Sequence, residues 1–275
     1  DPAGNQISAT GTASVTFTPG TASTADFTPS KTTVNIGEVF SAALVDDMLA
    51  DNGEKFTVNL TSNTVSGFEK VVQSSANVTT TISDESIPGS EDTVYAVIAV
   101  DKASTPEGGV LTYTVSLVDK DGNPVTLPTG KSIAVDLAWS GTAAGGADTS
   151  TLPSSVTLTS TNKTTFTVSA LDDYFAEGSE PLIATITKVT DTNGTFEKAA
   201  VGTTNTASSA ITDESTPTSE DTVTLKVVAV DANGTIIGDG SANSGAESQT
   251  TYYKVIALDP AGNQISATGT ASVTF

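Results

Sequence analysis

The sequence has no histidine, no cysteine and no arginine. Its 11 basic residues are all lysine, set against 32 aspartates and glutamates. Without cysteine there is no disulfide, no thiolate nucleophile and no thiolate metal site. Without histidine the usual general base and the usual zinc or copper ligand are missing. So few cations exclude nucleic acid as a partner, because phosphate contacts need basic patches. No run reaches the roughly 18 apolar residues of a membrane-spanning helix, so no membrane insertion is expected. Aromatics make up 5% of the chain, too few for a sugar cleft flanked by two catalytic carboxyls. No enzyme activity is expected. The chain starts at Asp1 with neither Met nor a signal-like apolar segment, and reads as a window on something longer.

What the sequence does have is acid and repetition. Its formal charge is −21, enough to keep a chain soluble at the cost of self-repulsion. A merely solvated, salt-tolerant surface would spread that charge, whereas here it clusters. Asp172, Asp173, Glu177 and Glu180 lie in one stretch directly after a strand-like run and directly before another. Asp46, Asp47, Asp51 and Glu54 repeat the same spacing. Like charges this close raise one another's pKa. Crowded hard oxygens suit Ca2+, which takes six to eight oxygen ligands. The loop acids are therefore expected to share a bound cation.

Ile82-Ser83-Asp84-Glu85-Ser86 returns as Ile211-Thr212-Asp213-Glu214-Ser215, displaced by 129 residues. Ser90-Glu91-Asp92-Thr93-Val94 returns as Ser219-Glu220-Asp221-Thr222-Val223 at the same displacement. Asp1 to Phe17 is identical to Asp259 to Phe275, displaced by 258, twice that period. A self-similar period of this kind marks tandem units. Residues 86–214 form one complete unit, 1–85 the C-terminal part of the preceding one, and 215–275 the N-terminal part of the next. The acidic joint between units, at 84–94 and again at 213–223, is short and carries one proline, so it is not a long flexible tether. An ion held between loop and joint would stiffen the angle between neighbours.

Within the complete unit Thr93–Val100, Leu111–Val118, Ile133–Trp139, Ser155–Leu158, Thr164–Leu171, Leu182–Val189 and Ala207–Ile211 read as short strands rich in Val, Thr and Ile. Phe166, Val168 and Ala170 alternate with Thr165, Thr167 and Ser169, the period of a half-buried strand. No stretch carries a helical period. The expected fold class is all-β: tandem antiparallel β-sandwiches of immunoglobulin-like build. Trp139 belongs to the core. Asp119-Lys120-Asp121-Gly122-Asn123 starts like an EF-hand loop, but its twelfth position would be Gly130, so it reads as a hairpin turn. Its counterparts begin at Asp1 and Asp259. Gly141–Gly146 follows a strand, precedes no helix and has no lysine, which excludes a phosphate loop.

A set of motifs in the complete unit resembles the Calx-β family. It comprises Pro106-Glu107-Gly108-Gly109, Gly141-Thr142-Ala143 with Asp148, Leu171-Asp172-Asp173 with Glu177 and Glu180, and Ile211-Thr212-Asp213-Glu214. The preceding unit repeats most of it with Gly20-Thr21-Ala22, Asp26, Asp46, Asp47, Asp51, Glu54, Asp84 and Glu85. The resemblance implies a two-sheet sandwich that binds calcium at one end. The implied ligands are Glu107, Asp148, Asp172, Asp173, Glu177, Glu180 and Asp213, with a main-chain carbonyl near Phe175. Where that family closes on a run of aspartates, this chain has Glu214 and Ser215 after Asp213. Asp51 stands where the longer Glu177 stands in the complete unit, which implies a weaker or water-bridged site.

Tandem, acidic, threonine-rich and cysteine-free copies also resemble the extender regions of giant bacterial RTX-type surface adhesins. That resemblance implies an extracellular, cell-surface stalk whose partners are neighbouring repeats of the same chain or identical subunits. A cell-surface or glycan target would be reached through other domains. Two alternatives stand beside it. One is a repeat that binds carbohydrate itself. The other is a filament subunit assembled head to tail, the two strands of 215–275 completing the 1–85 unit of the next molecule.

Overall fold

A computed structural model of the chain describes residues 3–274. The alternation read in the sequence is what builds its best-formed sandwich. Along Val110–Val118, Leu111, Tyr113, Val115 and Leu117 are fully buried, while the residues between them are half exposed. Thr93–Val100 buries Val94, Ala96 and Ile98 in the same way, and Ser132–Ser140 buries Ile133, Val135 and Leu137. Each such aliphatic side chain, fully buried, contributes roughly 1.5–3 kcal/mol.

These strands form two sheets. One runs Lys163–Ser169, Val110–Val118, Thr93–Val100, Lys198–Val201. The other runs Ser155–Thr159, Ser132–Ser140, Ser179–Asp191, Thr206–Thr212, Thr105–Pro106. Their inner faces supply one continuous core. Trp139 is half-buried against that core, edge-on to Tyr113 at 5.2 Å between centroids, and Phe166 stacks on Tyr113 at 5.3 Å. The indole Nε1–H donates to the Pro153 carbonyl at 2.8 Å.

All seven expected strands are present, but the sheets are not purely antiparallel. Lys198–Val201 pairs parallel to the start of Thr93–Val100, and Thr105–Pro106 pairs parallel to Ile211–Thr212. Both parallel pieces lie at sheet edges and join residues remote in sequence, so no local pattern announces them. Gly141–Gly146 also departs from the expectation. This run does enter a helix, a one-turn 3-10 segment over Thr142–Gly145. The Asp119 turn is as expected: Asp119 Oδ1 accepts from the N–H groups of Asp121 and Asn123, both at 2.8 Å. Asp259 forms the same turn with Asn263. Asp1 lies outside the described residues.

Before the sandwich, Thr33–Asn35, Thr12–Pro19, Lys55–Asn63 and Val78–Thr81 form a sheet, with Phe27–Pro29 pairing Ala42–Leu44 beside it. An aromatic group fills its core, with Phe27 stacked on Phe56 at 4.1 Å. After the sandwich, Thr224–Val230, Tyr252–Leu258 and Gln264–Ile265 form a three-stranded sheet. The first and second of these bodies touch through the paired-acid loop. Leu49 makes an isolated β-bridge with Phe196, and Met48 and Leu49 pack on the core of the sandwich. No helix among the described residues is long and apolar enough to cross a membrane.

Candidate metal centres

The site begins with a glycine that permits close approach. Gly141 sits at φ 104°, and a Cβ there would lie 2.0 Å from the Pro181 carbonyl oxygen. Gly20 makes the same approach to the Lys55 carbonyl, with a Cβ distance of 2.7 Å. The Gly-Thr-Ala motif is thereby explained. Glycine lets the chain cross over the strand that holds Glu180, or directly follows Glu54, and Ala143 and Ala22 then plug the core.

This crossing delivers Asp148, 9% exposed, to the loop that follows Lys163–Ser169. The Leu171 N–H donates to the Asp148 carbonyl at 2.9 Å, and Thr149 bridges Ala170. Asp148, Glu177 and Glu180 then gather, each with a carboxylate oxygen within 4.8 Å of the others. Earlier in the chain Asp26, Asp51 and Glu54 form the equivalent group, again with carboxylate oxygens within 4.8 Å of one another. Asp26 is 5% exposed, and both of its oxygens already accept from the Ser23 N–H and hydroxyl.

A second group lies on the other side of the same loop. Glu107, placed by its N–H bond to the Thr212 carbonyl at 2.9 Å, meets Asp172 and Glu214. Earlier in the chain Asp46 and Glu85 occupy the matching sequence positions, joined by Asp92 and Glu197. The four acids of each paired-acid loop divide between groups: Asp172 lies with Glu107 and Glu214, whereas Glu177 and Glu180 lie with Asp148.

Asp173, Asp47, Asp213 and Asp84 stand outside these groups, each with an oxygen committed to the backbone. Asp173 accepts from the Phe175 N–H and Asp47 from the Leu49 N–H, both at 2.7 Å. Asp213 accepts from the N–H groups of Glu177 and Gly178 at 3.1 and 3.0 Å, and Asp84 from Asp51 N–H at 2.9 Å. They fold the loop that presents the other acids. Asp92 and Glu197 were not among the sequence candidates. The recurrence of Asp92 as Asp221 was a usable signal; the lone Glu197 gave none.

The electrostatics are those of crowded, partly desolvated acids. Burial first, then the charges of Asp173, Asp213 and Glu214, push Glu107 up to about 7. Burial and then Glu85 push Glu197 up to about 7. Burial, then Asp26, Asp47, Glu54 and Asp84, push Asp51 up to about 6. Glu177 and Glu180 are also raised, by desolvation and by Asp148, as is Asp172, by desolvation and by Asp221. Lysine does not relieve them: the salt bridges among the described residues are Lys31–Glu38 and Lys120–Asp121, both remote from the groups.

No family model and no curated protein matches the chain. Among solved structures it is similar to the apo-form Calx CBD1 domain, at 15% identity over 44% of this chain and 98% of that one, TM-score 0.31. CBD12 from CALX1.2 is 14% identical over 76% of this chain and 90% of that one, TM-score 0.32. The S-layer protein fragment rSbsC(31-844) is 15% identical over 88% of this chain and 28% of that one, TM-score 0.24.

Proposed function

We propose that the chain is a stretch of tandem β-sandwich repeats, divided at 85/86 and 214/215, that serves as an extracellular structural stalk stiffened by Ca2+ at its loop ends and joints. Such a stalk would sit at a bacterial cell surface and carry no enzyme activity. Its partners would be neighbouring repeats, with any adhesive target met elsewhere.

The observation that carries this reading is the collection of acids into four groups, none paired with a lysine. A carboxylate-only donor set selects a hard cation over the softer transition metals. Three or four carboxylates at loop ends, completed by carbonyls and water, match the six to eight flexible ligands of Ca2+ better than the strict octahedron of Mg2+. The residues also fit an ion by what they lack: buried Oδ1 of Asp92 and Oε2 of Glu197 have no hydrogen-bond donor. A buried, unpaired carboxylate oxygen is costly, and a cation removes that cost.

Binding that favours the folded form stabilises it by mass action, by about 2.7 kcal/mol per site at a hundredfold excess over Kd. The calcium-free chain, its acids in mutual repulsion, is correspondingly loose. Calorimetry of the chain in millimolar calcium and in excess chelator tests the reading. A higher melting temperature with calcium supports it; superimposable transitions reject it.

A further inference from the structure

The group at Asp46, Glu85, Asp92 and Glu197 differs from the others in where its ligands originate. Asp46 comes from the paired-acid loop of the preceding unit and Glu85 from the joint. Asp92 lies where the joint enters Thr93–Val100, and Glu197 stands immediately before the parallel edge strand Lys198–Val201 of the following unit. We infer that these residues form a divalent-cation site shared by two successive repeats, complete when the segment bearing Glu197 is docked against Met48–Ala50. The inference rests on the calcium reading above.

Three features point to a ligand here beyond the acids themselves. First, Asp92 is 2% exposed; its Oδ2 accepts from the Gly89 N–H, which leaves Oδ1 buried without a partner. A protein that needed Asp92 merely to close its turn would not leave half a carboxylate desolvated and unsatisfied. Second, Oε2 of Glu197, on the opposing repeat, is buried and unpartnered as well. Third, a cavity lies beside the group, lined by Asp46, Asp47, Asp51, Asp84, Glu85 and Glu197. It supplies room for an ion and its waters.

Glu197 is held to this position by the backbone. Its N–H donates to the Met48 carbonyl at 3.1 Å, and the Ala50 N–H donates to the Thr195 carbonyl at 3.1 Å. The ladder that docks the two repeats thus also sets the distance of the last ligand. The half-satisfied aspartate recurs one period on, beside a group whose three acids all come from within 86–214. Asp221 Oδ2 accepts from the Thr218 N–H while Oδ1 is buried and unpartnered, and Glu107, Asp172 and Glu214 gather beside it. An all-carboxylate set of this kind takes calcium, and it turns ion binding into an angular lock between repeats.

The test titrates calcium chloride into the full chain by calorimetry for wild type, Glu197→Gln, Asp46→Asn and Glu180→Gln. Because the chain lacks cysteine, Thr61→Cys and Thr159→Cys accept spin labels on either side of the joint, and the distance distribution is read with and without calcium. Glu197→Gln and the exposed Asp46→Asn are each expected to bind one ion fewer and to keep a broad distribution in calcium. Glu180→Gln also loses an ion but keeps the calcium-induced narrowing. Wild-type stoichiometry and narrowing in both Glu197→Gln and Asp46→Asn overturn the shared site alone. A wild-type chain that takes up no calcium overturns the calcium reading together with it.

Discussion

Leu49, from the sheet region that precedes the sandwich, and Phe196, from the sandwich, meet in a single antiparallel β-bridge. Phe196 is 5% exposed and belongs to the sandwich core, whereas Leu49 is half-buried and only leans on that core. The two sides of the contact therefore differ: Phe196 is part of the core, and Leu49 packs against its edge.

Phe196→Ala is expected to destabilise the sandwich itself by about 3–5 kcal/mol, the range for removing a buried aromatic. Leu49→Ala should leave the main unfolding transition within about 1 kcal/mol of wild type. Its effect appears in hydrogen exchange, as lost protection of the Ala50 and Glu197 amides that bond across the joint. Unchanged protection at both amides would show that the bridge does not hold the repeats together.

Glu180→Gln should act with opposite signs in the two ionic conditions. In chelator it removes repulsion with Asp148 and Glu177, so the melting temperature rises by roughly 2–4 °C for about 1 kcal/mol. In calcium it removes a ligand, so the melting temperature falls. A variant that shifts stability the same way in both conditions would mean that Glu180 does not hold the ion.

The raised carboxyls fix the pH dependence. Glu107 and Glu197 move from an ordinary 4.5 to about 7, and Asp51 from 3.8 to about 6, chiefly through burial. Below about pH 3 these groups are protonated whether the chain is folded or not. As pH rises towards about 7 the unfolded chain releases protons that the folded chain still binds, so calcium-free stability falls and then levels off. Calcium must displace those protons, so its affinity rises over the same window. Urea denaturation from about pH 5 to about pH 8 should therefore show the gap between calcium and chelator widening with pH. A gap that narrows would contradict it.

Tyr113 offers a prediction away from the acids. Its ring is fully buried between Trp139 and Phe166, its hydroxyl has no partner, and burial pushes its pKa up to about 12. Tyr113→Phe removes an unsatisfied polar group without removing packing, and should raise stability by about 1 kcal/mol. A loss of stability would reveal a bond to the hydroxyl.

Much of the sandwich was legible because its strands alternate, as at Phe166, Val168 and Ala170, and because polar turns such as Asp119–Asn123 bound them. Lys198–Val201 was not, since Ala199, Ala200 and Val201 are all half-buried and the strand is defined by a remote parallel partner. The acids were legible as a cluster but not as two groups per loop. That division depends on which way Asp172 and Glu177 leave the backbone. Glu197 was invisible for a different reason: it becomes a site residue through the neighbouring repeat, and a contact between repeats leaves no local pattern in either.

The most direct measurement is a crystal structure of the chain grown in calcium, with anomalous scattering used to locate the ions. Anomalous peaks are expected among Asp148, Glu177 and Glu180 and among Asp46, Glu85, Asp92 and Glu197, each ringed by carboxylate oxygens at about 2.3–2.6 Å. Carboxylates turned out to solvent around empty density, in crystals soaked with calcium, would contradict it.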